Sequence, residues 1–162
     1  MNAIDTFLES NERYARDFTK GDVSNVPATR AAIVTCMDAR IDPARLLGLE
    51  EGDAHVIRNA GGFVTDDVIG CLVLSQRLLG TEEIMVIHHT DCAALLVDSD
   101  ALAAELESET GTRPTFTVES FRDVESSLAE MVSRLEANAF LNRSAIRAFV
   151  YEVATGRLRE QP

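Results

Sequence analysis

Thiolate and imidazole are the donors zinc prefers, usually in a tetrahedron, so Cys36, His89 and Cys92 are the first residues in this sequence that could do chemistry together. His89-Thr90-Asp91-Cys92 has an H-x-x-C spacing. With His89 at a strand end and Cys92 in the first turn of a helix, both side chains could converge on one ion, and the helix N-terminus would favour thiolate over thiol at Cys92. Taken alone that spacing is a weak signal, because a cysteine at a strand end is more often a small core residue. The core reading is preferred for Cys71, on the face of a predicted helix. Cys36-Met37-Asp38-Ala39-Arg40 discriminates further, placing a carboxylate and then a guanidinium shortly after a candidate ligand. Asp38 can complete a shell of two thiolates, one imidazole and one carboxylate, or it can pair with Arg40 and leave the fourth position to water. An ordinary loop salt bridge would explain Asp38 and Arg40 if Cys36 stood without His89 and Cys92. Together the two motifs are specific.

The elements that must position these residues read as alternating strands and helices. Ala31 to Thr35 is a short apolar run with β-branched members, suited to a strand buried on both faces, and Cys36 sits at its end. Asp42-Pro43 is an N-cap followed by proline at the first helical position, which predicts a short helix through Leu47. Ala54 to Ile57 is a second strand, closed by the Arg58-Asn59-Ala60-Gly61-Gly62 turn. Thr65 or Asp66 caps a helix through Leu79, with Val68, Ile69, Leu72, Val73, Gln76 and Leu79 on its periodic face and Gly80 as the stop. Glu83 to His88 is the clearest strand, and it delivers His89 to Cys92 at its C-terminal end. Further helices are expected near Asp100 to Glu107 and Ser120 to Leu135. Ala145 to Val153 reads as a last strand with a turn at Gly156.

This alternation predicts an α/β fold with a mostly parallel central sheet of about four strands, order 2-1-3-4, flanked by helices. In such a sheet ligands bind beyond the C-terminal ends of the strands, at the point where the winding reverses between the first and third strands. Cys36 and the His89 to Cys92 segment would face each other there.

Composition bounds the partners. The 162 residues suit one domain, expected over 1–162 as a single zinc-binding unit. A net charge of −12 repels phosphate backbones and anionic membranes, which argues against nucleic acid as a partner. No apolar run approaches the about 20 residues of a membrane span, and residues 1–20 lack the pattern of a secretory signal, so a cytoplasmic address without membrane association is expected. Three cysteines in a chain without an export signal favour metal binding or catalysis over disulfides. Ile4, Phe7, Leu8, Tyr14 and Phe18 form one apolar stripe on an N-terminal helix within residues 1–20, which must pack on something.

Cys-Met-Asp-Ala-Arg, Arg58-Asn59-Ala60-Gly61-Gly62 and His89-Thr90-Asp91-Cys92, with the intervals between them, resemble the β-class carbonic anhydrases. The resemblance is strong over Ala31 to Leu95 and is closest to a short prokaryotic branch. It implies one zinc ion per chain held by Cys36, His89 and Cys92, with Asp38 as a conditional fourth ligand. It also implies that Asp38 and Arg40 are the catalytic dyad keeping the water position open, and that Arg58 belongs to a loop near the site. The implied activity is reversible hydration of carbon dioxide to bicarbonate and a proton, a small-molecule reaction. The implied assembly is a homodimer or dimer of dimers with the site at the interface, which would cover Ile4, Phe7 and Phe18; a contact within the chain is the alternative. Ala93 stands where the family usually has glycine, and its methyl would narrow the pocket or disturb a backbone hydrogen bond. The absence of tryptophan argues against the regulatory bicarbonate site that some relatives build around one. His88 and His55 are candidates for proton transfer, each also readable as structural or surface.

Two rival readings keep the metal. Hydrolysis of carbonyl sulfide or carbon disulfide uses the same scaffold, and a non-catalytic zinc module would keep Asp38 on the ion. Cys36 and Arg40 stand too close for the phosphate-cradling loop of a cysteine phosphatase, and no G-x-G-x-x-G occurs for a dinucleotide.

Overall fold

The structure, a computed structural model, describes residues 2–162; the part of the expected N-terminal helix that falls on Met1 lies outside them. The element order is α1 (Ala3–Asp17), β1 (Ala31–Cys36), α2 (Pro43–Leu47), β2 (Ala54–Asn59), α3 (Asp66–Arg77), β3 (Glu83–His89), α4 (Ser99–Thr110), α5 (Val124–Glu136), β4 (Ile146–Glu152) and β5 (Arg157–Gln161). The sheet runs β2-β1-β3-β4-β5. The first four strands pair in parallel, in the order expected from the sequence, and β5 adds an antiparallel edge to β4. That fifth strand was not expected. Its residues, Arg-Leu-Arg-Glu-Gln, carry the charge of an edge rather than the apolar pattern of a buried strand.

Each helix start has a chemical cause. Asp42 Oδ1 accepts from the amides of Ala44 and Arg45, with Pro43 as the first helical residue of α2. Thr65 Oγ1 accepts from Val68 N at 3.3 Å to open α3, and Asp123 Oδ1 accepts from Ser126 N at 2.7 Å to open α5. The helix expected from Ser120 therefore begins later, at the residue whose side chain satisfies the free amides. α3 stops at Arg77, two residues short of Leu79.

One cluster of buried apolar side chains lies between the sheet and α3 with α5. Ala32 and Val34 of β1, Val86 of β3 and Val150 of β4 meet Leu72, Leu128 and Leu135, all at or near zero exposure. Full burial stabilises each such side chain by about 1.5–3 kcal/mol, which makes this face the rigid part of the scaffold. Cys71 lies outside the cluster, contrary to expectation. The buried residues of α3 are Val68, Leu72 and Ser75, and Cys71 faces away from them, exposed.

α1 buries none of its residues. Its apolar stripe stands open, with Ile4 and Phe7 each 67% exposed. Tyr14 bonds Glu51, and Lys20 beyond the helix pairs with Glu50 and Glu51 at 2.8 Å, contacts too exposed to contribute much stability. No helix among the described residues is long and apolar enough to cross a membrane.

Candidate metal centre

Parallel pairing of Thr35 with Ile87 brings the C-terminal ends of β1 and β3 level, so Cys36 and His89 emerge at one sheet edge, at the reversal point between the two strands. Cys92 follows on the loop that leaves β3. The ligand atoms of Cys36, His89 and Cys92 all lie within 4.8 Å of one another, and the three residues are 5%, 0% and 3% exposed. The two distant stretches of sequence thus meet as expected.

The helix expected to begin at Cys92 does not form there. Cys92 instead precedes a three-residue 3-10 turn, Ala93–Leu95, and α4 starts only at Ser99. A helix dipole is therefore not what tunes its sulfur. Ala93 is exposed at the start of this turn, and its carbonyl accepts from Leu96 N at 3.0 Å, so the turn keeps its backbone bond with a methyl present.

The protonation pattern suits a cation. The neighbouring Cys92 thiol, with the amides of Asp38 and Gly61, holds the Cys36 thiol well below its ordinary range despite burial. The Cys36 thiolate and burial push the Cys92 thiol up. His89 Nδ1 donates to the carbonyl of Thr90 at 3.0 Å, which leaves the lone pair on Nε2. Nε2 is buried with no hydrogen-bond partner. An orphaned buried nitrogen is costly, about 1–3 kcal/mol, and a cation among these three donors removes that cost. Two sulfurs and one correctly oriented imidazole fit zinc.

Asp38 is drawn off this cluster. Its Oδ1 accepts from Arg40 Nε at 3.0 Å and from Arg40 N at 2.9 Å, and its Oδ2 accepts from Arg40 Nη2 at 2.7 Å. Oδ2 is also 3.9 Å from His89 Nε2, so the carboxylate keeps one side toward the ligand atoms. Arg40 holds the Asp38 carboxyl well below the usual carboxylate range, and it stays anionic at any neutral pH.

Two supports were not legible as such. Arg58 donates from Nε to the Cys36 carbonyl at 3.0 Å and from Nη2 to the Asp38 carbonyl at 2.8 Å, clamping the segment that carries both residues. Gly62, at φ +74°, packs so closely that a Cβ would lie 3.0 Å from Cys36 N and 3.1 Å from the carbonyl carbon of Thr35. Only glycine combines that conformation with that approach.

Neither candidate for proton transfer sits in the site. His88 is fully buried, stacked on Phe121 at 5.5 Å with Nε2 3.2 Å from the Gly62 carbonyl, and burial lowers its pKa to about 4. It is a neutral packing residue behind the centre. His55 pairs in register with Ala32, far down the strand from Cys36, and bonds Ser75 Oγ at 2.8 Å.

Residues 31–158 match the family model described as carbonic anhydrase. Beta-carbonic anhydrase 1 of Mycobacterium tuberculosis is 48% identical over 161 residues, covering 99% of this chain and 98% of that protein. A crystal structure of carbonic anhydrase from Streptococcus mutans superposes with a TM-score of 0.92 at 40% identity, covering 99% of this chain and 98% of that one. The carbon disulfide hydrolase of Saccharolobus solfataricus is 30% identical over 97% of this chain and 90% of its own length.

Proposed function

From the premise that this chain belongs to the β-carbonic anhydrase family, a family of lyases, we propose that it hydrates carbon dioxide reversibly to bicarbonate and a proton at one zinc ion held by Cys36, His89 and Cys92. The observation that carries the reading is the buried trio with an orphaned imidazole nitrogen, beside a carboxylate that Arg40 holds off the fourth position. Zinc supplies a Lewis acid that brings the pKa of water to about 7, a value taken from the three-histidine class of carbonic anhydrase and borrowed from it here.

The chain's own groups do the rest. Asp38 accepts a hydrogen bond from the attacking oxygen nucleophile and turns its lone pair toward the carbon of the substrate. It can do so because Arg40 occupies the other carboxylate directions and keeps it ionised. Asp38 is also the conditional fourth ligand, and its arginine-paired position corresponds to the working state. The burial of Cys36, His89 and Cys92 keeps bulk water from competing for the donors.

The test is a substrate panel on zinc-loaded protein. Carbon dioxide hydration well above any sulfide release from carbon disulfide or carbonyl sulfide is expected. Sulfide release exceeding hydration would move the assignment to the hydrolase, and metal without either activity would leave a non-catalytic module.

The same proposal includes a homodimer. The open stripe of α1 has a counterpart in an apolar groove of about 260 Å³ lined by Ile33, Leu47, Leu49, Met85 and Phe149. Within one chain each is left uncovered, and a second copy supplies both surfaces at once. Phe7→Asp is expected to shift the protein from dimer to monomer in sedimentation velocity. An unchanged mass would remove α1 from the interface.

A further inference from the structure

Asp91 stands between two ligands, and none of the roles assigned above uses it. It is one of two non-glycine residues with positive φ among the described residues, at 56°. That left-handed conformation, which aspartate tolerates better than most side chains, turns two of its oxygens to Arg40. Arg40 Nη1 donates to Asp91 Oδ2 at 2.6 Å, and Nη2 donates to the Asp91 carbonyl at 2.9 Å. The same guanidinium donates from Nε and Nη2 to Asp38. Its donors are set in a rigid planar fork, so Arg40 cannot turn with Asp38 toward the metal position without breaking its bonds to Asp91.

We propose that Asp91 is a positioning residue for the reaction: it anchors Arg40 to the His89–Cys92 loop and so holds Asp38 in its arginine-paired position rather than its metal-ligating one. The proposal rests on the zinc-dependent hydration reading. It adds that the loop supplying two ligands also sets the posture of the dyad. The Asp91 and Arg40 side chains are 81% and 45% exposed, so their ion pair contributes little to folding. Its removal therefore acts on where Asp38 rests and leaves the ligand trio intact.

Asp91→Ala and Asp91→Asn in the full-length zinc protein, with cobalt-substituted counterparts, test this. Both variants are expected to keep a full zinc complement, and Asp91→Asn, which tolerates the left-handed backbone as aspartate does, is expected to keep the parent's melting temperature. The hydration rate of Asp91→Ala near pH 7 should fall about twofold to fivefold, the worth of one exposed ion pair, in kcat more than in KM. The loss should shrink as the pH rises toward 9, because hydroxide would compete better than water with Asp38 for a bound cation. The cobalt spectrum near neutral pH should move toward a shell of four protein ligands, and Asp91→Asn, whose amide oxygen still accepts from Nη1, should recover part of each change. An Asp91→Ala protein with the parent's pH profile and cobalt spectrum would overturn the proposal while leaving the functional reading intact. Zinc loss from Asp91→Ala would also overturn it, by making Asp91 a support of the ligand loop. A zinc-loaded parent without hydration activity would overturn the functional reading and this proposal with it.

Discussion

Cys92→Ser and His89→Ala proteins are expected to fold and to purify without stoichiometric zinc, and their carbon dioxide hydration should fall by about a thousandfold or more. That figure corresponds to the several kcal/mol a Lewis-acid metal contributes. Each substitution leaves two of the trio, and Asp38, gripped by Arg40 Nε and Nη2, is not released to serve as the third protein donor that a tetrahedral ion needs. Serine at position 92 cannot replace the thiolate, because its hydroxyl does not ionise under these conditions. His89 contributes a nitrogen whose tautomer is fixed by the Thr90 carbonyl, and the Asp38 carboxylate beside it stays engaged by Arg40. Burial beside the Cys36 thiolate favours the protonated Cys92 thiol, and zinc needs the thiolate, so loading displaces a proton and zinc retention in the parent should weaken as the pH falls. Metal analysis of the purified variants, read beside stopped-flow hydration rates, checks both parts. A full zinc complement in His89→Ala would contradict the ligand assignment.

Arg40→Ala should leave zinc in place and lower hydration by about a hundredfold, the usual scale for losing an oriented acceptor at the reacting atoms. Without the guanidinium, Asp38 loses its bonds from Nε and Nη2 and is free to complete the metal shell. Arg40→Lys should not restore the rate, since an ammonium is a point charge and cannot grip both carboxylate oxygens at once. Asp38→Ala should lose a comparable factor for a different reason: the fourth position stays open, but nothing orients the nucleophile. The two variants separate in the cobalt spectrum, where only Arg40→Ala can show carboxylate ligation. Zinc loss from either variant, or activity close to the parent's in both, would contradict the dyad's role.

The sequence carried the site further than it carried the surroundings. Cys36 and His89 were placed correctly because apolar strand runs end at them, and the winding of a parallel sheet forces such ends together. The caps of α2 and α3 were legible because Asp42-Pro43 and Thr65 announce themselves by residue type. β5 was not, because an edge strand need not bury a face and so need not alternate. The H-x-x-C spacing suggests Cys92 in the first turn of a helix; the chain closes only a 3-10 turn there, before α4. Cys71 was assigned to the core from helical spacing, but within one chain Val68, Leu72 and Ser75 fill that face of α3. The contacts of Arg58 with the Cys36 and Asp38 carbonyls, and of Arg40 with Asp91, join residues far apart in sequence through main-chain oxygens. No residue type marks such an acceptor in advance.

X-ray absorption at the zinc edge of freshly purified protein, with metal quantified on the same sample, bears most directly on the whole account. The expected result is one zinc per chain with two sulfurs at about 2.3 Å and a histidine nitrogen at about 2.0–2.1 Å, plus one lighter donor. A protein without stoichiometric zinc, or a zinc shell lacking sulfur, would contradict it.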